Sequence, residues 1–300
     1  MVNNIAQQLL SEGFELHELS PEASPRRYFR VAQQSLLLVT SEQPPAVACQ
    51  ALLSACDIHT PQYGATTSGG YLIEDCGDVH LSHQPSASNY SMLLEDWSKF
   101  SRRQLDVNHP NAELALDQKL FTRELKQFVN SYLIELKALD FSAAQIEALH
   151  DLCATLAEDA SAGPQSLQHR DFHCRNILLS PRHPRPLWID FQDLRSGPIF
   201  YDIASLYTDA YIDLGDDVFE LLMQAIVELG DEHQMHAEDA HQQFLVTALQ
   251  RVLKALGTFG LLINNGRDDY RPAEKRATTH AIALLDQLPR YYDLRQHLSQ

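Results

Sequence analysis

Hydrophobic periodicity changes once along these 300 residues, and that change restricts the chain to few architectures. Over roughly the first 75 residues, apolar side chains fall in short runs bounded by turn formers, the pattern of strands. Arg26 to Val31 and Leu36 to Thr40 flank Ala32-Gln33-Gln34-Ser35 as a hairpin, and Pro44-Pro45 opens a short helical pattern through Ala51, Leu52 and Leu53. A second hairpin runs Gln62 to Thr66, turns at Ser68-Gly69-Gly70 and returns as Tyr71-Leu72-Ile73-Glu74. Beyond Cys76-Gly77 the spacing becomes helical, as in Leu116, Leu120, Leu125, Phe128, Tyr132 and Leu136. The boundary lies in Asp75 to Asp78, so the expected division is 1-76 and 77-300. The fold class is α+β, a small N-terminal antiparallel sheet followed by a larger, mainly helical C-terminal part.

Helix is interrupted once in the second part, between Gly163 and Pro198, where Leu167, Ile177 to Leu179 and Leu187 to Ile189 read as short strands. The interruption holds His169-Arg170-Asp171-Phe172-His173-Cys174-Arg175-Asn176, and Asp190-Phe191-Gln192-Asp193 begins fourteen residues after Asn176. Phosphoryl transfer to a hydroxyl needs an anion that orients and deprotonates the acceptor, and oxygen ligands that hold magnesium on the nucleotide phosphates. A carboxylate and an amide on one tight loop, with a second carboxylate across a hairpin, supply these. Asp171 is the candidate base, and Asn176 and Asp190 the candidate metal ligands. A zinc site from His169, His173 and Cys174 is disfavoured, because paired zinc histidines want one helical face and this stretch lies between strands.

The run resembles the H-G-D-x-H-x-x-N loop of the aminoglycoside phosphotransferase family, followed by that family's I-D-F/W-x-D, here Ile189-Asp190-Phe191-Gln192-Asp193. Gly197-Pro198 and Tyr201-Asp202-Ile203-Ala204 are similar to its G-x-P-x-x-D-L-A. The resemblance implies a protein-kinase-like fold, ATP and Mg2+ as cofactors and a small-molecule acceptor. It also implies that His169 braces the loop, with Asp193 and Asp202 bracing by capping or by pairing with an arginine; Asp202 is placed to cap a helix starting near Ile203. Only eleven residues separate Asp190 from Asp202, which leaves no room for the long activation segment of a protein kinase.

The first part departs from that family. Where a third-strand lysine or arginine grips the nucleotide phosphates, this chain has Val39-Thr40-Ser41, and no lysine precedes Lys99. A cation about 4 Å from a phosphate is worth roughly 4 kcal/mol at an effective dielectric of about 20, so a substitute is expected. Arg26 or Arg27 is placed for it. The loop Glu22-Ala23-Ser24-Pro25 has no glycine-rich motif, but backbone amides of Ala23 and Ser24 can still cover phosphate. Tyr71 to Gly77 resembles the family's hinge, implying adenine contacts between Glu74 and Cys76.

Ala23-Ser24-Pro25-Arg26-Arg27-Tyr28-Phe29-Arg30, with Arg123-Glu124-Leu125 and Gln250-Arg251-Val252-Leu253-Lys254, resembles the branch that phosphorylates N-acetylmuramate and N-acetylglucosamine at the anomeric hydroxyl in cell-wall recycling. The lactyl carboxylate of muramate wants a cation, for which Arg123, Arg251 and Lys254 are candidates, the last two on one helical face. Pairing of these cations with internal carboxylates is the alternative. A rival is a cationic acceptor of aminoglycoside or choline type, met by Asp209, Asp213, Asp216, Asp217 and Glu220. A second rival is a catalytically inactive nucleotide-binding protein.

Composition narrows the partners. A net charge of -17, with basic residues clustered only at Arg26, Arg27 and Arg30, argues against nucleic acid. The N-terminus carries no signal-peptide pattern, and no stretch has the roughly 18 uninterrupted apolar residues of a membrane span. Five scattered cysteines without a Cys-x-x-Cys pair read as reduced thiols. A cytoplasmic location is expected, and no obligate protein partner is inferred.

Overall fold

A computed structural model describes residues 4–19 and 26–299. Packing divides the chain into two units, Met1–His83 with Asn176–Gln192, and Gln84–Arg175 with Asp193–Gln300. The expected single cut at residue 76 is therefore replaced by a division that sends a later hairpin to the first unit.

In the first unit, helix α1 (Asn4–Ser11) precedes strands β1 (Leu16–Glu18), β2 (Arg27–Val31) and β3 (Leu36–Thr40), helix α2 (Val47–Ala55), and strands β4 (Tyr63–Thr67) and β5 (Gly70–Glu74). The five strands form one antiparallel sheet in the order β1-β2-β3-β5-β4. Both expected hairpins are present within a residue or two of their ends; α1 and β1 were not anticipated. Alternation along the strands gives the sheet two faces. Phe29, Leu38 and Leu72 oppose one another in register and pack with Ile5 and Leu9 of α1. Tyr28, Val39 and Tyr71 oppose one another on the other face, where Tyr63 meets Tyr71 edge-on at 5.4 Å and Phe191 at 6.2 Å.

The second unit contains α3 (Ala87–Ser101), α4 (Gln118–Gln127), α5 (Ala143–Ser161) and strand β6 (Gln165–Gln168). The hairpin β7 (Ile177–Leu178) and β8 (Leu187–Trp188) returns to the first unit. Its attachment is physical: Trp188 N–H donates to His59 O at 2.9 Å, Leu179 N–H to Val79 O at 2.7 Å, and Leu178 and Leu187 share a core with Cys76. Strand β9 (Arg195–Pro198), paired with β6, resumes the second unit. Helices α6 (Tyr201–Tyr207), α7 (Asp216–Glu232), α8 (Ala237–Asn264), α9 (Arg271–Leu285) and α10 (Tyr292–Leu298) complete it.

Helix α8 is long and apolar enough to cross a membrane by length and composition, but 72% of its most apolar window is buried, as in the core helix of a folded domain. Against it lies a nine-residue π-helix, Phe128–Leu136, where the periodic apolar run had suggested ordinary helix. Lys137 N–H reaches back to Tyr132 O at 2.9 Å, the i to i−5 bond of that wider coil. The close approach depends on two glycines of α8: a Cβ on Gly257 would meet Phe128 N at 2.8 Å, and one on Gly260 would meet Ser131 O at 2.6 Å. Backbone cannot yield as a flexible side chain can. Gly260→Ala is therefore expected to cost about 1–3 kcal/mol in urea unfolding, whereas substitution at the exposed Asn265 should cost much less.

Candidate active site

The loop after β6 is fixed by two carboxylates that bracket α6. Asp202, fully buried in its first turn, accepts His169 N–H at 2.6 Å and Arg170 N–H at 3.0 Å. Asp209, just beyond its end, accepts Cys174 N–H at 2.7 Å and Tyr211 N–H at 2.9 Å. Asp202 was expected to cap the helix; instead it lies in the first turn of α6 and its side chain turns to the preceding loop. Burial raises the pKa of Asp202 to about 7, partly offset by those two amides, and raises that of Asp209 as well. His169 is also fully buried, its ring tilted against Phe172 at 5.6 Å.

Arg170, which occupies the glycine position of the H-G-D pattern, has φ +83, in the left-handed region. For a residue with a Cβ this costs on the order of 1–3 kcal/mol, and the position holds only because its surroundings fix it. Its guanidinium pairs with Asp193, which also takes Arg195 at 3.2 Å. The Arg170 guanidinium further approaches Glu124 at 3.8 Å. Asp193 is therefore a brace through arginine.

Asp171 follows and meets α8. Lys254 Nζ lies 2.6 Å from its Oδ1 and Arg251 Nη2 3.8 Å from the same atom, so the two cations three positions apart do share a face. They point at an internal carboxylate, the alternative to the acceptor-binding role expected of them. Arg251 and Lys254 keep 9% and 14% of their side-chain exposure and Asp171 keeps 29%, so the carboxylate is the accessible member of the cluster. Burial opposes ionisation of Asp171, yet Lys254, then Arg251 and Arg170, outweigh it and hold the pKa well below the usual carboxylate range. Burial lowers the pKa of Lys254 despite Asp171.

Arg123 is exposed on α4, whereas its neighbour Glu124 turns inward to Arg170 and accepts Gln250 Nε2 at 3.1 Å. Adjacent residues lie about 100° apart on a helix, so of this pair only Glu124 faces the loop, and Arg123 faces solvent. The carboxylates suggested for a cationic acceptor are largely engaged elsewhere. Asp209 holds the loop, Asp213 forms a two-pronged pair with Arg276 at 2.6 and 2.9 Å, and Asp217 accepts Val218 N–H at 2.9 Å.

The first unit carries the candidate metal ligands. The β7–β8 hairpin brings Asn176 and Asp190 to the same end, with Ile189 N–H donating to Asn176 O at 3.0 Å. Asp190 is exposed, with φ +61, a conformation that aspartate tolerates better than most residues. One amide and one carboxylate oxygen form a hard donor set, suited to Mg2+ and not to softer ions. Gln192 Nε2 donates to Asp190 Oδ1 at 2.8 Å and its Oε1 accepts Arg26 Nη1 at 3.2 Å. Arg26 also donates to Gln43 at 3.3 Å and lies in the field of Asp190. Arg27 points away into a two-pronged pair with exposed Glu18 at 2.8 and 2.9 Å. Gln192 was missed because it stands at the variable position of the I-D-F-x-D pattern.

Glu74 at the end of β5 meets His183 at 2.8 Å, and Cys76 is buried beside it. Arg30 forks onto Asp75 and Asp78, fixing the segment that follows β5 to β2. Ala23 and Ser24 lie outside the described residues.

A sequence profile described as APH, phosphotransferase enzyme family, matches residues 15–237. The chain belongs to this phosphotransferase family. Among curated relatives, the N-acetylmuramate/N-acetylglucosamine kinase of Pseudomonas putida is 32% identical over 277 residues, covering 84% of this chain and 78% of the relative. Among solved structures, an ethanolamine kinase of Plasmodium vivax matches with a TM-score of 0.65 at 12% identity, over 93% of this chain and 84% of the other. APH(2″)-IIa in a ternary complex with streptomycin and ATP matches at 0.59 and 15% identity, over 94% and 97%. Such low identities speak to the kinase-like fold alone, which is the expected one.

The cations around Asp171 set its titration. Lys254→Met removes the nearest, so the pKa of Asp171 rises towards the ordinary range. Activity that wild type keeps into acid should then fall at higher pH, and the acid limb of a kcat/KM profile should move up by about one unit or more, with Lys254→Arg restoring most of the shift.

Proposed function

We propose that this protein transfers the γ-phosphoryl group of ATP, with Mg2+, to the anomeric hydroxyl of an amino sugar of the N-acetylmuramate or N-acetylglucosamine kind. The observation that carries this is the engagement of the acidic residues an amine acceptor would need: Asp209 by loop amides and Asp213 by Arg276. The 32% identity to the Pseudomonas putida kinase over most of the chain supports the same acceptor class. Engagement of Lys254 and Arg251 by Asp171 fits a pocket that takes both sugars, since only muramate carries a lactyl carboxylate and a dedicated carboxylate clamp would favour it alone.

Asn176 and Asp190 would hold Mg2+, which neutralises charge on the nucleotide phosphates. Asp171 accepts a hydrogen bond from the acceptor hydroxyl and aims its lone pair at the γ-phosphorus. With so low a pKa it is a weak base, so orientation is its first task, and the proton moves to it late, as the new P–O bond forms in a loose transition state. Lys254 keeps Asp171 ionised and carries positive charge to the place where phosphoryl charge builds up. The bond to ADP breaks as the sugar phosphate forms, and the proton leaves through Asp171 to solvent. Arg26, held to Asp190 through Gln192, supplies the cation that β3 lacks. Retention of Asp171, Asn176 and Asp190 together speaks against an inactive nucleotide-binding protein. Such a reaction belongs in the cytoplasm, where ATP is held, and fits reuse of cell-wall sugars.

Release of ADP from magnesium-ATP should be stimulated by N-acetylmuramate and N-acetylglucosamine and not by an aminoglycoside or choline; the reverse pattern would overturn the assignment. Asp171→Ala should lose about 10²- to 10⁴-fold in turnover while nucleotide still binds. Separately, Arg26→Ala should raise the KM for ATP about tenfold or more, the consequence of losing over 1.4 kcal/mol at the phosphates, while Arg27→Ala leaves it unchanged.

A further inference from the structure

We propose that Glu74, Cys76 and His183 form a binding site for Zn2+ or a similarly soft divalent transition metal, separate from the Asn176 and Asp190 donors. One ligand atom from each, a carboxylate oxygen, a thiol sulfur and an imidazole nitrogen, all lie within 4.8 Å of one another. Glu74 is the hub. His183 Nε2 stands 2.8 Å from its Oε1, and the Cys76 sulfur lies within 4.8 Å of the carboxylate.

The three are placed by backbone pairing. Glu74 ends β5, Cys76 follows two residues on, and His183 lies in the β7–β8 turn, which Leu179 N–H ties to Val79 O at 2.7 Å and the His80–Leu178 bridge ties further. Burial of Cys76, Leu178 and Leu187 in one cluster keeps the turn and the segment after β5 together. His183 N–H donates to Ser180 O at 3.0 Å, which closes the turn and fixes the histidine backbone.

The donor set selects the metal. Mg2+ takes oxygen ligands, whereas thiolate with imidazole and one carboxylate is a zinc combination. With Zn–S near 2.3 Å and Zn–N near 2.0 Å, a tetrahedral site needs sulfur and nitrogen about 3.5 Å apart. Side-chain rotation of Glu74 and Cys76 covers a contraction of roughly 1 Å at the longest edge. Without metal, a ring N–H of His183 faces Glu74 Oε1 and the thiol keeps its proton, burial and then Glu74 pushing the thiol pKa up to about 12. Binding releases the thiol proton to solvent, the Nε2 proton of His183 passes to its Nδ1, and the freed sulfur and Nε2 lone pairs form the metal bonds.

Access and the remaining coordination position are also present. Glu74 and His183 keep 21% and 20% of their side-chain exposure, which gives an ion an entrance, while Cys76 is 4% exposed. The His59 ring stands 5.9 Å from that of His183, so the fourth position falls to water or to His59. Arg182, on the same turn, is exposed, so solvent screens its repulsion. A metal here would clip the end of β5 to the hairpin that carries Asn176 and Asp190, and so stabilise the protein.

The test uses full-length protein stripped with a chelator and titrated with Co2+ in excess Mg2+. One equivalent should bind with a thiolate-to-Co2+ charge-transfer band in the near ultraviolet, displaced by Zn2+, and the thermal midpoint should rise. Cys76→Ser should abolish the band. His183→Ala should weaken binding by at least the roughly 10- to 100-fold that loss of an outer partner costs. Absence of the band in wild type overturns the site, as does a band that survives in Cys76→Ser, which would assign it to another cysteine. If Cys76→Ser does not fold, unchanged affinity in His183→Ala overturns the site alone. Because no readout is kinase activity, failure here leaves the proposed phosphotransfer standing.

Discussion

The ion pair between Asp171 and Lys254 governs the larger unit. A buried lysine is costly unless a carboxylate faces it, and a carboxylate so placed stays ionised only because cations outnumber it. Lys254, Arg251 and Arg170 surround Asp171, and Glu124 and Asp193 partly balance the arginines. The partners come from four parts of the chain: α8, which supplies both Lys254 and Arg251, the loop after β6, α4, and the turn before β9. The cluster therefore fixes the position of α8 relative to the loop as well as a charge. Gly257 and Gly260, further along α8, serve the same end by letting the π-helix approach at backbone contact.

The smaller unit solves a different electrostatic problem. Its third strand presents Leu-Leu-Leu-Val-Thr and offers no cation to a phosphate. The chain instead places Arg26 at the entry to β2 and ties it to Asp190 through a single glutamine. An amide bridge between opposite charges keeps both within reach of a third partner without letting them neutralise each other in a direct pair. Arg27, one residue later, faces the other way because successive residues of a strand alternate, and Glu18 on β1 takes it.

Much of this was legible in the sequence, and the limits have physical causes. The two hairpins were readable because Gly69 and the Ala32-Gln33-Gln34-Ser35 turn separate short strand-like runs. Helix α1 was not, since its apolar spacing, Ile5 to Leu9, extends over only eight residues, about two turns. The order of chemistry-bearing residues was legible because it is a local pattern, but which way each side chain turns depends on distant partners. Asp202 carries the signal of a helix cap, yet the loop before it holds unsatisfied amides that it reaches first. Arg251 and Lys254 were readable as a one-faced pair of cations, while their target lay more than eighty residues earlier in the chain. The division into units failed as a single cut because edge pairing with His59 and Val79, invisible in one dimension, draws a distant hairpin to the first unit.

Among the described residues, two of the six with positive φ other than glycine stand at the candidate site, the other four at Gln33, Asp57, Ala138 and Gln234. Arg170 and Asp190 both adopt φ above +60, one immediately before the candidate base and the other at a candidate metal ligand itself. Each conformation costs on the order of 1–3 kcal/mol for a residue with a Cβ, so neither survives without compensation. At Arg170 the compensation is visible: its own amide and that of His169 both bond to a buried carboxylate, and charge-assisted bonds of this kind contribute roughly 1.5–3 kcal/mol each. The offset is large enough to hold the kink, and the kink turns Asp171 towards α8 while Arg170 turns back to Asp193. A glycine there would remove the strain but also the pair with Asp193, so the arginine exchanges local backbone ease for a fixed loop. At Asp190 the compensation is smaller, a hydrogen bond from Gln192, and the carboxylate remains exposed. A ligand that needs an accessible oxygen is served by the second arrangement, and a proton acceptor that must not move is served by the first.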